Sequence, residues 1–406
     1  MAGFSIPPVT NRLRILMIAP QPWFQPRGTP FSVLHRIKAL TLLGHEVDLA
    51  TYSIGQDVPM QGLRICRAAA VPFIKKVKIG PSRAKLFLDI ALYRRAVALA
   101  KKGGYDLLHT HEEAGFFGVN IARRFRLPHL YDMHSSLPQQ LHNFRYSKSK
   151  LLVDLFEKLE ARTIHQARAV ITICPELQHY VEARFPGQTS LLIENVADNT
   201  LVFPAQAGAV QTLRDHHGLH GCRVVLYYGT LEAYQGIPLL IDSAVHVLAQ
   251  SKTPVKFLLV GGTGQQVAAC RTLAAAKGIS KHCLFTGFVQ PQAIPGFIDI
   301  ADVLVSPRNS GTNSPLKIYS YLRAGRPVVA TRHVTHTQIL DDTVAYLAEA
   351  EAVPFARAIL TALTDAEGSA QRSAAAARLA EEKYSYGDYL RRVQWIVDRA
   401  VSGAAA

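Results

Sequence analysis

Cysteine is scarce in the 406-residue chain: Cys66, Cys174, Cys222, Cys270 and Cys283 are odd in number and far apart, with no Cys-x-x-Cys spacing. That excludes a disulfide framework and a zinc knuckle, and it predicts reduced, mostly buried thiols. Long apolar runs are also lacking. No segment offers the roughly 20 consecutive apolar residues that a membrane-spanning helix needs. Residues 1–12, with Pro7 and Pro8, hold no continuous apolar stretch of the kind that forms a secretory signal. Acidic residues are outnumbered, 30 Asp+Glu against 45 Lys+Arg, for a formal charge of +15. What is present is ordinary globular composition, 49% hydrophobic and 18% charged, which excludes a disordered chain. The length provides for two to three domains with cores of their own. The expected compartment is the cytoplasm.

The positive charge lies mostly in the first half: residues 1–200 carry 26 Lys+Arg against 15 Asp+Glu, the remainder 19 against 15. Such asymmetry points to an anionic partner, whether nucleic acid, an anionic membrane surface or a phosphorylated ligand. The lack of an RNA-recognition signature, KH loop or zinc-finger spacing sets nucleic acid aside. The densest stretch, with Lys75, Lys76 and Lys78, runs into Arg83, Lys85, Arg94, Arg95, Lys101 and Lys102, interleaved with Leu86, Phe87, Leu88, Ile90 and Leu92. Two readings stand side by side. The stretch is the solvated face of an ordinary core helix, or a basic amphipathic segment for an anionic lipid surface, which would bring the protein to the inner face of the membrane.

Short apolar, β-branched runs alternate with helical patterns almost from end to end, which predicts an α/β fold of repeated βα units with parallel sheets. Strands are expected over residues 14–19, 46–51, 106–109, 129–132, 169–173 and 190–193 in the first half. In the second half they are expected over 224–228, 256–260, 283–286, 303–306 and 327–330. The run from Pro204 to Gly221 has no strong periodicity, and a domain boundary is placed near residues 196–222. Two doubly wound domains, residues 1–200 and 201–385, would bring the carboxyl ends of their sheets to one cleft where ligands collect.

Two helix-opening loops are suited to phosphate. The first runs from Pro20 to Pro30, with Arg27 and Gly28 beside Thr29 as N-cap and Pro30 at the first helical position. The second runs from Ser306 to Lys317, with Ser314 as cap and Pro315 opening the helix. There Gly311 permits close backbone approach, and Arg308 and Lys317 supply charge for a diphosphate. A third turn, Gly261-Gly262-Thr263-Gly264, follows a strand. Each loop by itself is equally a capped turn with no ligand.

His109 and His111 in His109-Thr110-His111-Glu112-Glu113 fall on one face of an extended segment. With Glu112 or Glu113 they have the composition of a metal site, yet no His-Glu-x-x-His or Cys/His tetrad accompanies them, and a polar cluster at a strand end is the alternative. His134 ends another strand, as a hydrogen-bonding group for a sugar hydroxyl or as a satisfied structural histidine.

Taken in order, several pieces resemble one family. They are Leu43-Gly44-His45-Glu46-Val47 after the Gly28 loop; Asp106-Leu107-Leu108-His109-Thr110-His111-Glu112; Tyr131-Asp132-Met133-His134; Ile193-Glu194-Asn195; Tyr228-Gly229-Thr230-Leu231; Leu259-Val260-Gly261-Gly262; Phe285-Thr286-Gly287-Phe288-Val289; and Pro315 to Thr331. From about Arg14 to Trp395 the chain resembles a GT-B glycosyltransferase of the retaining family 4 group. The resemblance implies a C-terminal domain that holds a nucleotide diphosphate sugar and an N-terminal domain that holds a glycan or lipid acceptor. It also implies a last segment, residues 386–406, that packs back on the N-terminal domain, and it requires no metal or other cofactor.

By position, His134 would contact the transferred sugar, with Arg308 and Lys317 acting on the leaving diphosphate. Arg27, Gly28, Thr29, Gly229, Thr230, Gln235, Gly311, Thr312 and Asn313 would surround the phosphates. Gly262, Phe288, Val289, Leu316 and Ser320 would meet the nucleotide, and His111, Glu112 and Asn195 lie on the acceptor side.

The chain also departs from the family. Thr230 and Gln235 stand where Arg and Lys are usual, and Thr312 and Ser320 where two glutamates are usual. A hydroxyl in place of a carboxylate keeps a hydrogen bond but loses charge assistance of about 1–2 kcal/mol. Arg308 and Lys317 are expected to compensate for the missing diphosphate cations. The rival readings are a non-catalytic nucleotide-sugar-binding relative and a metal-dependent hydrolase built on His109, His111 and Glu112.

Overall fold

Residues 11–24, 28–74, 77, 83–138, 150–196 and 209–403 are described by a computed structural model of the chain. Arg27 and the lysines at 75, 76 and 78 lie outside the described residues. The chain divides into two units, Met1–Asn195 with Tyr386–Ala406, and Val196–Ser385.

In the first unit the elements run β1 (Arg14–Ala19), α1 (Gly28–Leu42), β2 (Glu46–Thr51), β3 (Leu63–Arg67), α2 (Arg83–Lys102), β4 (Leu107–His111), α3 (Ala114–Phe125), β5 (His129–Met133), α4 (Lys150–Gln166), β6 (Ala169–Thr172), α5 (Pro175–Arg184) and β7 (Ser190–Leu192). The strands form one sheet in the order β3-β2-β1-β4-β5-β6-β7, and every recorded pairing is parallel. Because helices cover both faces, the central strands are buried throughout and read as near-continuous apolar runs. The exceptions carry the interest: His109, Thr110 and His111 on β4, and His129 and Asp132 on β5, are buried polar residues. Beneath α2, Leu88, Leu92 and Leu99 join Leu16, Ile18 and Leu108 in a core cluster. Their spacing of four and seven keeps them on one helix face.

In the second unit the elements are α6 (Ala209–His216), β8 (Arg223–Tyr228), α7 (Ile237–Gln250), β9 (Val255–Val260), α8 (Gly264–Ala276), β10 (Cys283–Gly287), α9 (Ile294–Asp299), β11 (Val303–Ser306), α10 (Leu316–Arg323), β12 (Val328–Thr331), α11 (Val334–Thr337), β13 (Tyr346–Ala348), α12 (Ala352–Thr364) and α13 (Ala366–Tyr384). The sheet order is β10-β9-β8-β11-β12-β13, again parallel. The last helix, α14 (Tyr386–Ser402), returns to the first unit and lies against α1.

In each sheet the strand order reverses once, between β1 and β4 and between β8 and β11. A crevice opens at the carboxyl ends of the strands at such a reversal, and ligands bind there in open α/β sheets. The residues that follow β1, β4, β8 and β11 are thereby singled out by topology alone.

Four expectations need correction. Two strands escape the sequence, β3 and β13, both at sheet edges, where five and three residues give too little periodicity. Residues 209–216, inside the run read as aperiodic, form α6, whose Leu213 packs on the core. Thr29 is not an N-cap, because α1 begins at Gly28. Its hydroxyl instead donates to Glu112 Oε1 at 3.1 Å. Pro315 rather than Ser314 takes the N-cap position of α10, in an extended conformation at φ −67° and ψ 131°.

Candidate active site

In the second unit, three loops meet at one end of the sheet through main-chain bonds: Gly229 N donates to Val260 O at 2.9 Å, and Gly261 N to Gly287 O at 2.9 Å. This brings Gly229, Gly262 and Phe288 to neighbouring strand ends. Phe288 is exposed there, Val289 packs on the core, and Gly262 faces the Leu231 side chain. Gly236, at φ +72°, marks where the 3-10 turn Ala233–Gln235 passes into α7. A Cβ there would lie 1.9 Å from the Pro307 carbonyl oxygen, so the loop after β8 touches the loop after β11 only because residue 236 has no side chain.

That contact brings together the two cations picked out in the sequence. Lys317 is 5% exposed. Its Nζ donates to Gln235 Oε1 at 3.3 Å and lies 3.7 Å from the centroid of the Tyr227 ring. Arg308 donates through Nε to Ser310 O at 2.9 Å, and its guanidinium carbon is 5.2 Å from the Tyr234 ring centroid. Among the described residues no carboxylate pairs with either. Burial, and then the neighbouring Arg308, push the Lys317 ammonium well below the usual lysine range, and burial lowers Arg308 also. Two desolvated cations without a counter-ion cost several kcal/mol, which an anion between them would offset.

The rest of the predicted loop is close by. The Thr312 carbonyl accepts from Gln338 Nε2 at 2.7 Å, the Thr312 hydroxyl lies 3.4 Å from Asn313 Oδ1, and Ser320 hydrogen-bonds the Tyr228 hydroxyl. Thr230 is reached through its main chain, whose carbonyl accepts from the Tyr227 hydroxyl at 2.6 Å. Leu316 is half-buried in the first turn of α10, and Gly311, at φ +95°, lies against the Arg308 guanidinium.

His336 is fully buried and ties the loop down. Its Nδ1 is 3.0 Å from the Thr331 carbonyl, which only accepts, so Nδ1 carries the proton and Nε2 accepts from the Ser306 hydroxyl at 2.8 Å. The Thr331 hydroxyl in turn donates to the Arg308 carbonyl. Burial pushes His336 down to about 3, so it is neutral in the fold.

The first unit holds a second polar cluster where β4 and β5 end. Asp132, with no exposed surface, accepts from Arg36 Nε at 2.8 Å through Oδ2. His109 Nε2 is 3.4 Å and His111 Nδ1 3.6 Å from the same oxygen, and His134 Nε2 is 3.3 Å from Oδ1. His111 Nδ1 and His134 Nε2 are 3.0 Å apart. Burial by itself would raise Asp132, but Arg36, then His134 and His111, hold it well below the usual carboxylate range. Burial lowers all three histidines, so they are neutral at neutral pH.

Glu112 adjoins this cluster and acts on His134 electrostatically, but its hydrogen-bond partner lies elsewhere. Its backbone is left-handed at φ +49° and its carboxylate accepts from Thr29, while Glu113 pairs with Lys85. Burial, and then Glu113, raise the Glu112 carboxyl. Asn195 receives the Ser32 hydroxyl at 2.8 Å, and Gly28 opens α1 with free space around its Cα.

The metal reading changes accordingly. His109, His111 and Asp132, not Glu112, come together, with ligand atoms within 4.8 Å of one another. Asp132 is already ion-paired with Arg36, a cation seated among these groups. Arg36 and Asp132 are the residues sequence reasoning missed. Asp132 was visible as the one carboxylate in the strand His129–Met133, and Arg36 as an arginine on the apolar stripe of α1.

Comparison with known proteins agrees with this architecture. Residues 26–198 match the family described as Glycosyltransferase Family 4, and residues 222–365 match Glycosyl transferases group 1. The D-inositol 3-phosphate glycosyltransferase of Xylanimonas cellulosilytica is 24% identical, over 93% of this chain and 94% of its own. The alpha-monoglucosyldiacylglycerol synthase of Acholeplasma laidlawii is 22% identical, over 74% of this chain and 76% of its own. Among solved structures, Anabaena HepE in complex with UDP and glucose superposes with a TM-score of 0.73 at 16% identity, over 95% of this chain and all of its own. Two parallel-sheet units, each with its polar residues at a strand-order reversal, and family matches over most of the length give one conclusion: the chain belongs to the family 4 glycosyltransferases of the GT-B fold.

Proposed function

We propose that the protein transfers a sugar from a nucleotide diphosphate sugar to a glycan or lipid-linked acceptor, with retention of configuration and without a metal. The observation that carries this reading is the pair of buried Lys317 and half-buried Arg308, two cations with no carboxylate partner among the described residues, at the strand-order reversal of the second unit. A diphosphate supplies the missing anion. As the glycosidic bond breaks, negative charge grows on the departing diphosphate, and preorganised cations in a water-poor site stabilise that charge most. The amide of Gln235 and the hydroxyls of Thr312 and Ser320 then contribute hydrogen bonds where other members would place charge.

We assign the donor to the second unit, around Gly229, Thr230, Gln235, Gly262, Phe288, Val289, Gly311, Thr312, Asn313, Leu316 and Ser320. The acceptor side falls to the first unit, at His111, Glu112 and Asn195, and His134 takes the role of hydrogen-bonding the transferred sugar. Gly28, Thr29 and Arg27 are proposed to approach the phosphates. Metal independence is favoured by Arg36, which neutralises Asp132 among the groups a metal would use.

A lipid acceptor is favoured by α2, where Leu86, Phe87 and Ile90 are exposed beside Arg94 and Lys101. No described helix is long and apolar enough to cross a membrane. An apolar step flanked by cations is suited to lying on an anionic surface instead, and sedimentation with anionic against neutral vesicles at low salt tests it. Equal recovery with both would count against it.

The reaction itself is tested by incubating the protein with UDP-, GDP- and ADP-sugars labelled in the sugar, with and without EDTA, and following release of nucleoside diphosphate. Release from one donor class, unaffected by EDTA, is expected. Tight nucleotide binding with no turnover or donor hydrolysis would favour the non-catalytic reading, and loss of activity to EDTA would reject metal independence.

A further inference from the structure

Behind the loop that follows β11 runs a chain of buried hydrogen bonds that ends on Arg308. The Arg308 carbonyl can only accept, so the single proton of the Thr331 hydroxyl goes to it. The Thr331 hydroxyl oxygen is then left to accept. His336 Nδ1 lies 3.0 Å from it and 3.0 Å from the Thr331 carbonyl, which also only accepts, so the His336 proton is on Nδ1. Its Nε2, bare in the neutral ring, takes the Ser306 hydroxyl at 2.8 Å. Each donor has one direction open to it: Ser306 to His336, His336 to Thr331, Thr331 to Arg308. Ser306, Thr331 and His336 have no exposed surface, so bulk water does not compete for these bonds.

The chain joins the ends of two neighbouring strands. Ser306 closes β11 and Thr331 closes β12, which run parallel with Ser306 beside Ala330. Residues beyond β12 hold the loop at a second point, where Gln338 Nε2 donates to the Thr312 carbonyl at 2.7 Å. In a trans peptide the carbonyl and the N–H that follows it point to opposite sides. Fastening the Arg308 and Thr312 carbonyls to the residues of and beyond β12 therefore turns the N–H groups of Asn309 and Asn313 to the other side of the loop. The Arg308 side chain folds back on this same loop, with Nε on the Ser310 carbonyl and the guanidinium against Gly311. It moves with the main chain that carries it.

We propose that Thr331 and His336 are positioning residues for Arg308: by fixing the Arg308 carbonyl from behind they set its guanidinium where a diphosphate meets it together with Lys317. That Arg308 meets a diphosphate rests on the proposed function; that Thr331 and His336 fix Arg308 does not. A merely structural role would weaken the fold and every ligand alike. Positioning through Arg308 weakens the phosphate contact and leaves nucleoside binding alone.

The test uses the full chain as wild type, Thr331→Val, Thr331→Ser, Arg308→Met and the Thr331→Val/Arg308→Met double variant. Binding of UDP, GDP and ADP is read by isothermal titration, and that of uridine, guanosine and adenosine by ligand-observed NMR. Valine keeps the shape of threonine without its hydroxyl, and serine keeps the hydroxyl. Thr331→Val should weaken diphosphate binding roughly three- to tenfold, with nucleoside affinity unchanged and Thr331→Ser close to the wild type. In the Arg308→Met background Thr331→Val should add no further loss, because two changes that act through one group are not additive. Unchanged diphosphate affinity in Thr331→Val, a parallel loss of nucleoside affinity, or the full loss repeated in the Arg308→Met background would each overturn the proposal. If Lys317→Met weakens diphosphate binding and Thr331→Val does not, the donor site stands and the positioning role falls; no nucleoside diphosphate bound by the wild type would overturn both. Should Thr331→Val not fold, a two-bond proton–nitrogen spectrum of the 15N-histidine-labelled wild type at neutral pH decides. His336, identified from His336→Gln, is expected as a single neutral Nδ1–H form, and an Nε2–H form or a mixture would overturn the proposal.

Discussion

Lys317 is the residue on which binding should depend most. Its ammonium has a ring face and an amide oxygen as neighbours but no counter-ion among the described residues, so a bound diphosphate gains a charge-assisted contact worth about 1.5–3 kcal/mol. Lys317→Met should therefore weaken nucleoside diphosphate binding by roughly ten- to a hundredfold, read by isothermal titration, with the nucleoside losing far less. Unchanged diphosphate affinity would mean that Lys317 does not compensate for the missing diphosphate cations. The same substitution should leave the unliganded protein as stable or more stable, since it removes a buried unpaired cation. His336 acts one step away, through the Thr331 and Arg308 main chain. His336→Ala leaves the buried Ser306 hydroxyl without its acceptor and should cost about 1–3 kcal/mol in urea unfolding.

Among the elements, α2 separates two readings that its sequence could not. Leu92 lies in the core while Phe87, five residues earlier, is 57% exposed. Leu92→Ala should cost about 2–5 kcal/mol of stability. Phe87→Ala should leave stability nearly unchanged and reduce recovery on anionic vesicles; equal vesicle recovery would return α2 to an ordinary solvated face. The helix was legible because its core face repeats at helical spacing, whereas the fate of its other face depends on exposure. Strands such as β1, β8 and β11 were legible for the same reason in reverse, as buried runs of apolar residues. β3 and β13 were not, because a short edge strand takes its identity from the neighbour it pairs with. At the site, Lys317, Arg308 and His134 could be read from local motifs. Arg36 meets Asp132 across 96 positions of sequence and His336 meets Ser306 across 30, partnerships that only the sheet order creates.

At the scale of the whole molecule, buried histidines shape the response to acid. His109, His111 and His134 are held below their ordinary value by burial, and His129 and His336 are both pushed down to about 3. These side chains stay neutral in the fold, while in the unfolded chain they take up protons below about pH 6.5. The unfolded state then binds more protons, so stability rises with pH up to the ordinary histidine range and is lost below it, by up to about 1.4 kcal/mol per pH unit for each histidine. Asp132, held low, adds stability that persists to far more acid pH. Glu112 and Glu113, raised by burial, oppose the trend, since their contribution falls as pH rises through their own range. His45, His217 and His333 are lowered by burial as well, and Asp89 and Glu160 are raised by it; with eight lowered histidines against four raised carboxyls among the described residues, urea unfolding should show a loss of stability from about pH 7 to about pH 5. A flat profile would mean that the histidines are hydrated or paired in solution.

The central claim is that the second unit binds a nucleoside diphosphate on Arg308 and Lys317. The most direct test is a thermal-shift titration of the wild type and Lys317→Met with UDP, GDP, ADP and CMP, with and without EDTA, since a ligand that binds only the folded state raises the unfolding temperature. The account predicts a shift with one nucleoside diphosphate, unaltered by EDTA and largely lost in Lys317→Met. No shift with any of them at concentrations up to about a millimolar, or an equal shift in both proteins, would contradict it.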